Sequence, residues 1–311
     1  MKIAMVLLFL LGLGGTMSCG QSGKSFPETQ PESKEFQLPT VPVTITVPEE
    51  RADYLAKNYW VHFDFSDTAY IHMPKVTEQA FVNYIDVLKL TDKERAYDYI
   101  SSLMKAAEKD SLVFHYFAGL AEKYLYDPNS PFQNEQLYIP VLETLVSSKL
   151  TGDADCIRFE ALLTLAQKNQ PGSVATNFTY TLADGRKRQL RNFRSPYLLL
   201  FLNDIDCENC KQTMKELAES DVINGLINKH TLAILSLYTQ NDTESWNKKL
   251  SDMPDNWVNA YDEKLQISNE ELYDLKAMPT LYLLDKEKKV LLKDAELKDI
   301  VLFLESLKDQ P

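Results

Sequence analysis

The chain has 311 residues, of which 44% are hydrophobic and 25% are charged, a composition typical of a globular protein. This length predicts two domains, each large enough to bury a core without disulfide bonds. The 33 Lys and Arg residues are outnumbered by 45 Asp and Glu residues, which gives a net charge of −12. That charge argues against a nucleic-acid-binding protein, because phosphate binding requires a basic surface.

The first residues have the pattern of a targeting segment. Lys2 is followed by an apolar run from Ile3 to Leu13, and small residues then lead to Cys19. The run is too short to span a bilayer comfortably. It resembles a bacterial lipoprotein signal, which is cleaved before a cysteine that then carries the lipid, although Thr16 stands where such signals usually have Leu. The resemblance implies that residues 1–18 are a signal peptide, that Cys19 is lipidated, and that the protein is anchored in the bacterial cell envelope, facing the periplasm.

Residues 19–48 are predicted to be the lipidated cysteine and a proline-rich tether. Their polar sequence shows no helical or strand period, and prolines interrupt it at five positions: Pro27, Pro31, Pro39, Pro42 and Pro48. We expect this segment to hold the folded domains away from the membrane.

Residues 49–170 are predicted to form an all-helical domain of about five helices. Apolar residues recur three and four positions apart in five segments: 81–88, 97–104, 114–125, 137–145 and 157–166. The Pro171-Gly172 pair ends the last of them. Aromatic residues are dense near the start of the domain, at Tyr54, Tyr59, Trp60, Phe63, Phe65 and Tyr70. We interpret them as core residues, with a partner-binding groove as the alternative.

After Gly172 the pattern changes to alternating strands and helices over residues 171–311. A hairpin is predicted around Asp184-Gly185, and the continuous apolar run from Tyr197 to Leu202 predicts a strand buried on both faces. Further strands are predicted at 232–238, 280–284 and 290–292, and helices after Cys210, around 245–250 and at 297–304. This order predicts an α/β sandwich with a mixed central sheet.

Two motifs in this second region carry a family resemblance. A buried strand leads into Cys207-Glu208-Asn209-Cys210, which starts a helix, and Met278-Pro279 opens a strand about 70 residues later. Over about residues 171–308 the chain resembles the thioredoxin superfamily, specifically its TlpA/ResA-like extracytoplasmic branch. Residues 51–165 resemble the helical domain of unknown function that precedes such domains in Bacteroidetes lipoproteins. The expected fold is therefore a C-terminal α/β thioredoxin-like sandwich with a separate all-α N-terminal domain.

The resemblance implies a thiol-disulfide oxidoreductase with Cys207 and Cys210 as its redox disulfide. A cysteine at a helix N-terminus faces free backbone N–H groups that stabilise a thiolate, so Cys207 is expected to attack a substrate disulfide. Cys210, one turn further, is expected to resolve the mixed disulfide. By the same resemblance Pro279 would be cis, and Met278 and Pro279 would bind substrate through the backbone.

The motif also departs from the family. The Trp or Pro that usually precedes the first cysteine is absent, and the residues between the cysteines are Glu and Asn. Asp204, Asp206 and Glu208 place negative charge where it works against a thiolate. Because oxidising power rises as the reduced thiolate is stabilised, we expect a reductant or an isomerase-like enzyme and not a strong oxidant.

No metal and no cofactor are expected. A structural zinc site needs about four ligands, and beyond the Cys207–Cys210 pair the chain offers Cys156 and four scattered histidines, His62, His72, His115 and His230. Cys156 is predicted to be a buried apolar thiol of the last helix of the first domain, beside Ile157, Phe159 and Leu162, with a third redox partner as the alternative.

The sequence thus favours a membrane-anchored extracytoplasmic thiol-disulfide oxidoreductase in cell redox homeostasis. Its expected partners are protein thiols and disulfides, an upstream membrane reductant and, through the lipid anchor, the membrane itself. The alternative is a non-catalytic, partner-binding lipoprotein in which the Cys-x-x-Cys pair is structural or vestigial. Exposure of the Cys207 sulfur separates the two, because a nucleophile must be reachable and a structural bridge is usually buried.

Overall fold

The computed structural model describes residues 34–307. The predicted signal peptide, Cys19 and the first part of the predicted tether lie outside these residues. Among residues 34–307, no helix combines the length and apolar character needed to cross a membrane.

Six α-helices build the N-terminal domain, one more than predicted. Side chains of Asp92, Asp110 and Asn134 accept hydrogen bonds from the first backbone N–H groups of α3, α4 and α5, which explains where these helices start. The additional helix is α1, in which Pro48 occupies the first turn, a position that needs no N–H donor. The helices are α1 (Pro48–Asn58), α2 (Thr77–Leu88), α3 (Lys93–Ala107), α4 (Ser111–Ala121), α5 (Glu135–Ser147) and α6 (Asp153–Gln167).

Four of the six aromatic residues at the start of this domain are buried in its core, and Tyr70 packs against it half-buried. Tyr59, Trp60, Phe63 and Phe65 are buried, and the Trp60 ring packs edge-on against Phe117 of α4 at 5.3 Å between centroids. Burial of these rings favours the core interpretation over a partner-binding groove.

The second half of the predicted tether packs on the helical domain. The Phe36 ring lies 5.1 Å from each of the Tyr59 and Trp60 rings, Pro39 is buried, and Pro48 is already helical. Residues 36–48 are therefore part of the folded unit, and the predicted tether is shorter than residues 19–48. The physical reason is that the Phe36 ring packs against the Tyr59 and Trp60 rings and removes apolar surface from water.

The C-terminal domain is built on one mixed sheet of seven strands in the order β2-β1-β5-β4-β3-β6-β7. The central strand β3 pairs parallel with β4 and antiparallel with β6. The strands are β1 (Thr179–Leu182), β2 (Lys187–Gln189), β3 (Tyr197–Asn203), β4 (Leu232–Tyr238), β5 (Val258–Tyr261), β6 (Thr280–Asp285) and β7 (Val290–Lys293). The helices are α7 (Glu208–Glu219), α8 (Asp221–Asn228), α9 (Thr243–Lys249), α10 (Gln266–Asn269) and α11 (Leu297–Ser306).

Side chains of β3 alternate between two apolar layers, one on each face of the sheet. Leu198, Leu200 and Leu202 pack in one layer, and Leu199 and Phe201 pack in the other. The predicted strand buried on both faces is thus confirmed, and so is the α/β sandwich beside a helical domain with its own core. The sheet fixes the carboxyl end of β3, where the Cys-x-x-Cys motif begins.

Candidate active site

Cys207 lies at the start of α7, four residues after β3 ends. Its sulfur accepts a hydrogen bond from the Cys210 backbone N–H at 3.1 Å, so the side chain caps the helix in the way a Ser or Asp usually does. Amide donors and the positive end of a helix both favour negative charge on such a sulfur. The local sequence therefore places Cys207 where a nucleophilic thiol is expected.

The Met278–Pro279 pair lies against this sulfur. Cys207 Sγ lies 3.6 Å from the Met278 carbonyl oxygen, and the Met278–Pro279 peptide bond is cis, as the resemblance implied. The pairing of β3 with β6 explains the approach, because Leu202 near the end of β3 lies opposite Thr280 at the start of β6. Residues 71 positions apart in the chain are brought together in this way.

Cys207 and Cys210 are both free thiols, but they differ in exposure. Cys207 is half-buried, whereas Cys210 is 3% exposed and packs in the apolar layer with Phe201 and Leu217. Burial raises the pKa of the Cys210 thiol well above its ordinary value, and the neighbouring Cys207 sulfur adds to the rise. A hydrogen bond from the Asp204 backbone acts in the opposite direction. Of the two residues, Cys207 is the more exposed and therefore the better placed to meet a partner.

The carboxylates near the cysteines are accompanied by lysines that the sequence reasoning missed. Asp206 forms an ion pair with Lys249 of α9 at 2.6 Å, and Glu208 forms one with Lys211 at 2.5 Å. Lys211 could have been recognised, because it follows Glu208 by three positions on a predicted helix. Lys249 gave no such signal, since it comes from an element more than forty residues away.

A cavity of about 370 Å³ opens beside Cys210. Its apolar wall comes from Phe201, Met214 and Met253, and Asp204 and Lys249 supply polar groups. It borders the buried sulfur rather than the Cys207–Met278 contact.

Cys156 does not match its prediction. The residue is partly exposed, its neighbour Ile157 is 69% exposed, and its sulfur contacts the Val146 carbonyl oxygen and the Glu160 carboxylate within the helical domain. Partial burial and the Glu160 carboxylate raise the pKa of this thiol. The prediction that Cys156 is buried was wrong, because the apolar residues near it do not all face the core. Ile157, next to Cys156, is exposed, whereas Phe159 is buried.

The four histidines do not converge. Over residues 34–307, no group of three or more His, Cys, Asp or Glu side chains has the arrangement needed to hold a metal ion.

A central buried strand, a Cys-x-x-Cys motif that starts a helix and a facing cis-proline loop together define a thioredoxin-type domain. A family model described as Thioredoxin-like matches residues 195–290, and a model described as Domain of unknown function (DUF5106) matches residues 18–169. No functionally curated protein matches the sequence.

One solved structure matches this chain over both domains. A thioredoxin-like protein from Bacteroides caccae is 45% identical, with a TM-score of 0.86 over 89% of this chain and 99% of that chain. The C-terminal domain of an uncharacterized protein from Bacteroides fragilis is 45% identical over 44% of this chain and 98% of that chain, with a TM-score of 0.43. A domain of a possible thiol-disulfide isomerase from Cytophaga hutchinsonii is 27% identical over 46% of this chain and 99% of that chain, with a TM-score of 0.39. This chain belongs to the thioredoxin-like proteins and carries an N-terminal DUF5106 domain.

Proposed function

We propose that this protein is a membrane-anchored extracytoplasmic thiol-disulfide oxidoreductase that reduces or isomerises protein disulfides. One observation carries the proposal: the half-buried Cys207 sulfur lies between the first amides of α7 and the Met278 carbonyl oxygen, with Cys210 buried one turn behind it. A structural or vestigial bridge requires neither a free, reachable sulfur nor a facing proline loop.

The reaction proceeds by two exchanges of sulfur bonds. The Cys207 thiolate attacks one sulfur of a substrate disulfide, the substrate S–S bond breaks, and the departing substrate thiolate takes up a proton. Cys210 then loses its proton and attacks the Cys207 sulfur of the mixed disulfide. This step forms the Cys207–Cys210 disulfide and releases the second substrate thiol. Two electrons pass to the substrate, and a dithiol reductant at the membrane restores the pair.

Met278 supplies backbone groups for substrate binding. Its carbonyl oxygen lies 3.6 Å from the Cys207 sulfur, so an extended substrate segment that pairs with the Met278 backbone brings its own sulfur close to Cys207. Holding the two sulfurs in place lowers the entropic part of the barrier to exchange.

The redox poise follows from the stability of the thiol form. Burial raises the pKa of the Cys210 thiol, so this sulfur adds no thiolate stabilisation to the reduced pair, and oxidising power rises with such stabilisation. Lys249 and Lys211 offset two of the three carboxylates near the motif, which leaves Asp204 as the acid that lies against Cys210. We therefore place the protein on the reductant or isomerase side, and equilibration with glutathione buffers measures this directly.

The cellular location is proposed from the sequence alone. The apolar run ending at Cys19 supports lipid anchoring in the cell envelope with the folded domains facing the periplasm. Metabolic labelling with a palmitate analogue tests it: wild-type protein should take up label and enter the membrane fraction, and Cys19→Ala should do neither.

Trapping of mixed disulfides tests the catalytic proposal. In cells that express the protein natively, Cys210→Ala removes the resolving thiol and should leave substrate proteins covalently attached to Cys207. The adducts should disappear in Cys207→Ala/Cys210→Ala, whereas Cys156→Ser/Cys210→Ala should retain them. If abundant, folded Cys210→Ala protein forms no adduct, the partner-binding alternative becomes the better explanation of this fold.

A further inference from the structure

Five charged side chains meet where the helical domain contacts the thioredoxin-like domain. Glu135 comes from the first turn of α5, Asp274 and Lys276 from the segment that leads to Met278, and Lys293 and Asp294 from the end of β7. We call this group the interdomain ion cluster. The side chains of Lys276, Lys293 and Glu135 are 8%, 5% and 16% exposed, so these charges are largely removed from water.

Each lysine in the cluster has its own set of oxygen partners. The Lys276 ammonium group lies 3.2 Å from Asp274, 3.4 Å from Asp294 and 3.9 Å from Glu135, and it also lies over the Tyr126 ring at 5.4 Å. The Lys293 ammonium group lies 2.7 Å from Glu135 and donates to the backbone carbonyls of residues 166 and 168. Glu135 is therefore the carboxylate that the two lysines share, and it is the charged group that the helical domain contributes to the cluster.

The two buried lysines depend on this carboxylate to different degrees, because Glu135 is the closest carboxylate to Lys293 and the most distant of the three that face Lys276. Burial acts to lower the pKa of Lys276, but Asp274, Asp294 and Glu135 together outweigh it, so the pKa is raised. For Lys293 burial outweighs Glu135, and the pKa is lowered. Loss of Glu135 would leave Lys293 without its carboxylate partner in a buried place.

The cluster is only two residues from the candidate active site. Lys276 is followed by Ala277 and then Met278, whose carbonyl oxygen contacts the Cys207 sulfur. The start of the same segment is also tied to the end of the helical domain, because Lys168 and Asn169 donate to the backbone carbonyls of Glu271 and Leu272 at 2.7 and 2.8 Å. We call the stretch from Glu271 to Met278 the Met278 segment. Its start is bonded to the end of the helical domain, and near its other end Lys276 contacts Glu135 of that domain.

We propose that Glu135, acting through Lys276, positions the Met278 backbone for substrate binding, so that the helical domain completes the active site of the thioredoxin-like domain. Glu135 and Lys276 are positioning residues in this scheme, since neither touches the reacting sulfurs. This inference rests on the proposed function, because it assigns a substrate-binding consequence to the domain contact.

The test compares Glu135→Gln with Glu122→Gln in the otherwise native chain. Both changes remove one carboxylate from the helical domain, but Glu122 pairs with the exposed Arg158 and lies outside the cluster. Three quantities are measured at a temperature where all proteins are folded. They are hydrogen exchange in peptides covering residues 273–280, KM and kcat for reduction of a disulfide-bonded peptide, and the rate of Cys207 alkylation by iodoacetamide.

Glu135→Gln should speed exchange in the Met278 segment and raise KM for the peptide by roughly tenfold, because small displacements of positioning groups are costly. Alkylation of Cys207 should stay the same, since a small reagent needs no backbone pairing. Glu135→Asp, which keeps the charge, should recover part of the lost affinity, and Glu122→Gln should match the wild type. If Glu135→Gln does not fold, Glu135→Asp replaces it, because this change keeps the charge but shortens the side chain that reaches Lys276, and it should change exchange and KM in the same direction by a smaller amount.

Unchanged exchange in the Met278 segment of Glu135→Gln would overturn the inference. Equal losses of peptide reduction and of alkylation would overturn it as well, because they would indicate general damage to the domain. If the wild-type protein itself reduces no peptide disulfide, the proposed function fails. Hydrogen exchange, which needs no substrate, then still decides whether Glu135 holds the Met278 segment.

Discussion

The chain gathers charged side chains in two places that differ in their contact with water. Around the cysteines, the pairs Asp206–Lys249 and Glu208–Lys211 lie on the surface, whereas the lysines and Glu135 of the interdomain ion cluster are nearly buried. Exposed pairs typically contribute between 0 and about 1 kcal/mol, because water and salt screen them. Removing one partner of a buried pair typically costs about 3–5 kcal/mol, since the other charge is left unsolvated.

This difference indicates separate roles for the two groups. The exposed charges can adjust the electrostatic environment of Cys207 with little consequence for folding. The buried charges secure the contact between domains, and they do so beside the segment that carries Met278. Charge near Cys207 is therefore expected to be weakly coupled to folding, and charge at the domain contact strongly coupled to it.

The largest effect on stability is expected for Glu135→Gln. Because Lys293 would lose its carboxylate in a buried place, we expect the free energy of unfolding to fall by about 3 kcal/mol. Glu122→Gln, which breaks an exposed pair with Arg158, should lower it by less than about 1 kcal/mol. Urea denaturation monitored by circular dichroism, fitted separately for each domain where two transitions appear, provides both values. Equal losses in the two variants would remove the distinction between buried and exposed charge.

The two sulfurs of the motif show the same contrast between buried and exposed groups. Burial raises the pKa of the Cys210 thiol, so in a Cys156→Ser/Cys207→Ser background Cys210 should react slowly with iodoacetamide at neutral pH. Because this pKa is raised, the alkylation rate of Cys210 should still increase above about pH 9, beyond the pH at which an ordinary cysteine loses its proton. The matched variant Cys156→Ser/Cys210→Ser, which retains the half-buried Cys207, should react faster at every pH up to neutrality.

The measurement is the alkylation rate of the folded protein across the pH range, with the unfolded protein as reference for each sulfur. If the alkylation rate of folded Cys210 reaches its plateau at or below the pH at which the unfolded protein reaches its own, burial does not raise the pKa of this thiol. The assignment of Cys210 as the protected, resolving thiol would then lose its physical basis.

Secondary-structure elements with a strong apolar pattern could be predicted from the sequence. Elements that form because adjacent strands or helices impose their conformation could not. The run from Tyr197 to Asn203 forms the central strand because nearly all of its side chains are buried. In contrast, β5 (Val258–Tyr261) has four residues of mixed burial and owes its strand form to pairing with β4 and β1. Helix α8 follows α7 directly, with Ser220 ending one helix and capping the next, so the break between them left no gap in the pattern.

The candidate site divides in the same way. Cys207, Cys210 and Pro279 were found from short motifs, because the helix start and the strand start that position them are local. Glu135 and Lys249 escaped notice because each reaches its place through the tertiary fold, from a helix distant in the chain. Their charges carry no local pattern that distinguishes them from the other acidic and basic residues of the surface.

The smallest effect is expected at the exposed pair beside the cysteines. Lys249→Met removes the ion pair with Asp206 and a contact with the Ile205 carbonyl oxygen, yet both charged groups are open to water. A double-mutant cycle with Asp206→Asn should give a coupling energy below about 1 kcal/mol. At 1 M NaCl, where charges are screened beyond about 3 Å, the coupling should shrink further. A salt-independent coupling above about 2 kcal/mol would mean that the pair behaves like the buried interdomain ion cluster. Charge beside Cys207 would then be as firmly tied to folding as charge at the domain contact.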